Sequence, residues 1–166
     1  MPTNTSYGLS AYSVALAPNG KILVAGYTFS TTTPDFALAL LNADGTLDPT
    51  FGVGGKVTTS FGQGQVVARS VVIQPEGKIV VAGYSDLGKN NGDTDFAIAR
   101  YNVNGTLDTS FGQGGKVTTA IGNPLWGGDY AYKVGLQADG SIVVSGSYAT
   151  LTGSNANPYK GLRFLT

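Results

Sequence analysis

At 166 residues the chain has the length of one domain and enough surface to bury a core on folding. Ten basic and ten acidic residues leave no net charge, which argues against nucleic acid or an anionic membrane as the main partner and favours self-association. Cysteine and histidine are both absent, which excludes disulfides and thiolate metal sites and removes the commonest general base; no apolar run is long enough to span a bilayer.

In chain order, Met1–Gly8 lacks the basic and apolar regions of a signal peptide. Within it, Thr3-Asn4-Thr5-Ser6-Tyr7-Gly8 aligns with Val57-Thr58-Thr59-Ser60-Phe61-Gly62, so a short strand is expected at about 2–7. A first set of strands follows at Ala11–Leu16, Lys21–Tyr27, Asp35–Leu41 and Lys56–Ser60. A second set follows at Ala68–Ile73, Lys78–Tyr84, Asp95–Tyr101 and Lys116–Ala120, and a third at Tyr132–Leu136, Ser141–Ser147 and Lys160–Leu165. In the second set, Gln74-Pro75-Glu76-Gly77 is a Pro-x-Gly turn that makes a hairpin of its flanking runs. Phe96, Ile98 and Arg100 alternate with Ala97 and Ala99, the pattern of a strand packed between layers.

The sets repeat one another. Asp35-Phe36-Ala37 returns as Asp95-Phe96-Ala97, and Gly45-Thr46-Leu47-Asp48 as Gly105-Thr106-Leu107-Asp108. Phe51–Thr59 returns at 111–119 with one change, Gln113 for Val53. A period near sixty residues with four short antiparallel strands per unit and no helical pattern is the unit size of a propeller blade. We therefore expect an all-β, β-propeller-type repeat domain over 1–166. Its three blades fall at about 9–61, about 66–121 and about 130–166, the last completed by the strand at about 2–7 from a partner chain. Three blades are too few to close a ring, so two chains exchanging strands would make a six-bladed homodimer. A β-solenoid, or a piece excised from a longer array, are the alternatives.

The complete unit, from Ser70-Val71-Val72-Ile73-Gln74-Pro75-Glu76-Gly77-Lys78-Ile79 through Asp95-Phe96-Ala97 to Gly105-Thr106-Leu107-Asp108-Thr109-Ser110-Phe111-Gly112, resembles the bacterial delta-60 repeat. The third unit departs from it, with Gln137-Ala138-Asp139-Gly140-Ser141 at the turn and Tyr159-Lys160-Gly161-Leu162-Arg163-Phe164 in place of Asp-Phe-Ala. The resemblance implies propeller-like repeats, a bacterial source and an extracellular or cell-surface setting. It implies no activity.

Repeated residues read first as architecture. Asp35, Asp95, Asp48 and Asp108 suit turn-capping roles, and the Gly-x-Gly-Gly turns precede no helix that could cradle a phosphate. Loops that depart from the repeat are the better functional candidates. Asp86–Asp95 is oxygen-rich but fits no EF-hand pattern, Ala149–Pro158 is uncharged, and Gly122–Tyr130 carries the chain's one tryptophan. Loops joining second to third and fourth to first strands share one face of a propeller. Trp126, Asp129, Tyr130, Asn90 and Asp93 are thus the expected ligand-binding residues, with a glycan as ligand: rings stack on sugar faces while amides and carboxylates take hydroxyls. Trp126 filling a gap between blades, or anchoring the subunit contact, is the structural alternative. No cofactor or metal is expected. An enzyme would have to rely on carboxylates such as Asp86, Asp93, Asp95 and Asp129, as glycosidases do, and no spacing selects two of them. The expectation is a non-catalytic scaffold or recognition module.

Overall fold

The computed structural model describes residues 9–29, 33–62, 64–86, 94–121, 128–148 and 163–165. They form eleven strands in three antiparallel sheets. Sheet one runs in chain order through β1 (Leu9–Leu16), β2 (Ile22–Phe29), β3 (Pro34–Leu41) and β4 (Lys56–Thr59). Sheet two repeats it with β5 (Val66–Ile73), β6 (Ile79–Ser85), β7 (Asp95–Tyr101) and β8 (Lys116–Thr119). Sheet three holds β9 (Tyr130–Leu136), β10 (Ile142–Ser147) and β11 (Arg163–Leu165). The strand expected at about 2–7 lies outside the described residues.

The first strand of each unit starts two residues earlier than alternation suggests. The cause is a bulge: pairing of β1 with β2 shifts between Ala11 and Ser13, that of β5 with β6 between Ala68 and Ser70, and β9 with β10 carries the same irregularity. An extra residue there breaks the period-two pattern while pairing continues beyond it. The bulge explains a glycine repeated in all three sheets. A side chain at Gly26, Gly83 or Gly146 would run into the carbonyl oxygen of Ser10, Val67 or Tyr130 on the bulged strand.

The sheets stack through two separate cores. Leu23, Ala25, Phe36, Leu38 and Leu40 of sheet one meet Val71, Ile79, Val81, Ala97, Ala99 and Tyr101 of sheet two. From its other face sheet two sends Val80, Ala82, Phe96 and Ile98 against Ala131, Val134, Ile142 and Val144 of sheet three. β6 and β7 are therefore buried on both faces, and the small Ala97 and Ala99 allow the close approach expected of them. One polar tie crosses the first core: the buried Tyr101 hydroxyl donates to Thr59 Oγ1 at 2.8 Å. Burial pushes that phenol well above the ordinary tyrosine range, so it stays protonated.

Asp48 and Asp108 do more than cap turns. Asp48 Oδ1 accepts from the Thr50 amide and hydroxyl at 3.0 and 2.7 Å, and Asp108 Oδ1 from those of Ser110 at 3.2 and 2.7 Å. The second oxygen of each takes the lysine of the Pro-x-Gly-Lys turn: Lys21 Nζ at 2.5 Å from Asp48 and Lys78 Nζ at 2.7 Å from Asp108. The two repeated motifs of a unit thus clasp each other across its hairpin and loop. Hydrogen bonds from the lysine and from the residue two ahead hold the Asp48 carboxyl down at about 2 and the Asp108 carboxyl well below its usual range.

Candidate functional site

The bulge puts its extra residue at equivalent places in the three sheets, within Ala11-Tyr12-Ser13-Val14, Ala68-Arg69-Ser70-Val71 and Ala131-Tyr132-Lys133-Val134. Tyr12, Arg69 and Tyr132 are the centre of a continuous aromatic belt. The Arg69 guanidinium carbon lies 4.2 Å from the Tyr12 ring centroid and 5.5 Å from that of Tyr84. Arg69 Nη2 donates to Tyr84 Oη at 3.3 Å. Tyr84 meets Tyr130 edge to face at 4.8 Å, Tyr130 lies parallel to Tyr132 at 6.4 Å, and Tyr12 stacks on Tyr27 at 5.8 Å. Ser147 Oγ donates to Tyr132 Oη at 3.0 Å, fixing the far end of the belt.

Two rings of this belt face solvent, with Tyr12 46% and Tyr132 47% exposed. Arg69 Nε is buried and has no hydrogen-bond partner among the described residues. Burial opposes the guanidinium charge, but the Tyr84 hydrogen bond and the surrounding tyrosine hydroxyls outweigh it and raise the Arg69 pKa. The arrangement offers apolar ring faces flanking a fixed cation, suited to a planar or ring-shaped ligand carrying oxygen acceptors.

Of the residues expected from sequence to bind a ligand, Tyr130 is part of this belt. Asp129, beside it, is 3% exposed; its Oδ2 accepts from the Ile121 amide, and its own amide donates to Thr94 O at 2.6 Å. Thr94 Oγ1 in turn donates to Asp129 O at 3.0 Å, so Asp129 fastens the start of sheet three to the start of β7. Trp126, Asn90 and Asp93 lie outside the described residues. Among the other acidic candidates, Asp86 Oδ1 accepts from the Gln65 amide at 2.7 Å and Asp95 is buried. No group of three acidic residues among the described residues could hold a metal ion.

Sequence reasoning missed Tyr12, Arg69 and Tyr84. The available signal was a position that varies, Tyr, Arg and Tyr, inside a frame of Ala and Val that does not.

A family model described as a domain of unknown function (DUF5122), beta-propeller, matches residues 17–51 and 74–111. The two matched stretches are equivalent parts of sheets one and two, each running from the end of a first strand to the phenylalanine after the Gly-Thr-Leu-Asp loop. The repeats are propeller-type. Sheets one and two are accordingly blades one and two, and sheet three, outside the match, is numbered blade three after its like strand order. No curated protein matches the chain. Seven chains of solved structures do, among them an X-ray structure provisionally named a gluconolactonase. It is 19% identical with a TM-score of 0.44, and the match covers 95% of this chain and 44% of that one. At that similarity it bears on neither the fold nor the activity. The chain spans less than half the length of that structure.

Proposed function

We propose that the chain is a non-catalytic propeller module, akin to the delta-60 repeat, that assembles copy to copy through its blade faces. One observation carries this reading. Blade one leaves open the same face that blade two buries: Val14 is 62% and Leu16 75% exposed, whereas their counterparts Val71 and Ile73 pack into the first core. Ile22 and Val24 on the same face are half-buried, whereas their counterparts Ile79 and Val81 are buried. An apolar strip of this kind on a soluble surface marks an interaction site.

The occupant we infer is blade three of a second copy. Blade one presents Ala15, Leu23 and Ala25 to blade two, small, branched, small. Gly135, Val143 and Ser145 stand at the equivalent positions of blade three and keep that size pattern. Head-to-tail stacking of two copies would give six blades, the strand at about 2–7 completing its neighbour's third blade. Light scattering during size exclusion tests the reading. The wild type should run near twice 17.0 kDa, and V14K, whose side chain is exposed within one chain, near 17.0 kDa with its fold intact. A wild type that stays at 17.0 kDa at high concentration refutes it.

A second reading, glycan recognition, is favoured by the belt around Arg69. Exposed Tyr12 and Tyr132 supply stacking faces, and Arg69 supplies a cation for sugar oxygens. A glycan array probed with the wild type and with Y132A tests it. Glycans retained by the wild type and lost by Y132A support this reading, and an array blank for both removes it.

A further inference from the structure

The turns of blades one and two border an open cavity of about 410 Å³, on the opposite edge of the sheets from the tyrosine belt. Its volume lies within the range of small-ligand sites, about 300–1,000 Å³. Leu40 lines it, Ile73, Ile79 and Val103 wall it, and the Lys21–Asp48 pair with Thr50 stands at its polar end.

The second unit is an internal comparison for this cavity, because the backbone around it is the same. The Leu40 amide donates to Gly55 O at 3.0 Å and the Arg100 amide to Gly115 O at 2.9 Å. The Asp48 amide donates to Leu40 O at 2.8 Å and the Asp108 amide to Arg100 O at 2.9 Å. Arg100 therefore occupies the place of Leu40, and it fills the polar end of its own unit. Its Nε donates to Asp108 Oδ2 at 2.7 Å and its Nη2 to Ser110 Oγ at 3.3 Å. Lys78 Nζ shares the same Asp108 oxygen at 2.7 Å, so one carboxylate holds both cations.

Unit one keeps every acceptor of that arrangement and lacks the guanidinium, and Phe51, which stands for Phe111, is buried in the first core and does not line the cavity. Asp48 stands for Asp108, Thr50 for Ser110 and Lys21 for Lys78, while Leu40 carries no donor. We propose that this cavity binds an alkylguanidinium, its planar fork taking the place that Arg100 fills in unit two, on Asp48 Oδ2 and Thr50 Oγ1. The alkyl stem lies against Ile73, Ile79 and Val103, apolar walls that unit one offers where the Arg100 guanidinium of unit two has the Phe111 ring at 4.6 Å. A guanidinium suits the site better than an ammonium because it is planar, more weakly hydrated and donates from a fixed fork. The inference is independent of the assembly and glycan readings.

The test is a methyl NMR titration that follows Leu40, Ile73 and Ile79, with butylguanidinium and the capped tripeptide Ac-Gly-Arg-Gly-NH2 as probes and neutral butylurea as control. Saturable shifts with either cation and none with butylurea are expected. L40R, which writes the Arg100 side chain into unit one, should weaken binding by at least about tenfold in a protein that still unfolds in one cooperative transition. R100L, which empties unit two, should add a second set of shifts. Tighter binding of the tripeptide identifies a partner's arginine side chain as the ligand, and equal binding identifies a free alkylguanidinium. The proposal is overturned if neither cation gives a saturable shift, if butylurea binds as well, or if L40R titrates like the wild type.

Discussion

Removing the Tyr101 hydroxyl measures how much the seam between the first two blades owes to one polar tie. Tyr101 is fully buried and its hydroxyl meets Thr59 Oγ1 at 2.8 Å, with the threonine also buried. A net intramolecular hydrogen bond contributes about 1 kcal/mol, and stranding the partner adds part of a desolvation penalty of about 1–3 kcal/mol. Y101F should therefore cost about 2 kcal/mol, and T59V about the same because it strands the phenol. For a chain of this size that is a drop of about 4–8 °C in Tm. The double variant, with both partners apolar, should cost less than the sum, leaving a coupling energy of about 1–2 kcal/mol. Urea unfolding of the four proteins at one pH supplies the cycle. Additive single effects, or a Y101F as stable as the wild type, would refute this account of the seam. The tie has no copy in the other units, since Leu41 and Leu165 stand where Tyr101 does.

Two further outcomes are expected. G83A should destabilise by about 1–3 kcal/mol, since its methyl would press on the Val67 carbonyl across the bulge. G54A, which meets no atom but sits at φ 58°, should cost only about 1 kcal/mol, and thermal melts that reverse this order would contradict the bulge argument. The Asp48 and Asp108 carboxyls have folded pKa values below the ordinary 3.8, so their stabilisation is complete above that pH and fades as pH falls below it, for Asp48 toward about 2. Urea midpoints of the wild type and D48N should accordingly differ near neutral pH and close on one another as pH falls to about 2 and below, and a gap that stays constant into acid would exclude the carboxylate charge as its source.

Strand positions were legible because the turn chemistry of Pro-x-Gly and Gly-Thr-Leu-Asp recurs with the apolar runs between, and nothing long-range was needed to place them. The bulge was not legible. It depends on which carbonyl faces Gly26 or Gly83 across the pair, so both the true strand starts and the exposure of Tyr12 and Tyr132 were hidden. The capping role of Asp48 and Asp108 could be read from their neighbours two residues ahead. Their second oxygens could not, because Lys21 and Lys78 reach them from 27 and 30 residues away in the chain. Strand order placed Tyr130 at the edge where second-to-third and fourth-to-first strands connect, the edge on which its ring meets Tyr84 and Tyr132. Arg69 did not, since a lone arginine in a strand carries no mark of the rings it will lie between.

The middle blade belongs to both cores, and this has a consequence for the order in which a growing chain can fold. Sheet one is synthesised before sheet two, yet Phe36, Leu38 and Leu40 lack the cover of sheet two until the strands ending at Tyr101 emerge. For that interval the first blade is a half-finished layer with its apolar side bare on a nascent chain. The later arrival of sheet three meets a finished surface, because Val80, Phe96 and Ile98 are already held in register from behind. Among these three sheets, vectorial synthesis thus leaves sheet one exposed until sheet two pairs with it, and lets sheet three add to a prepared template.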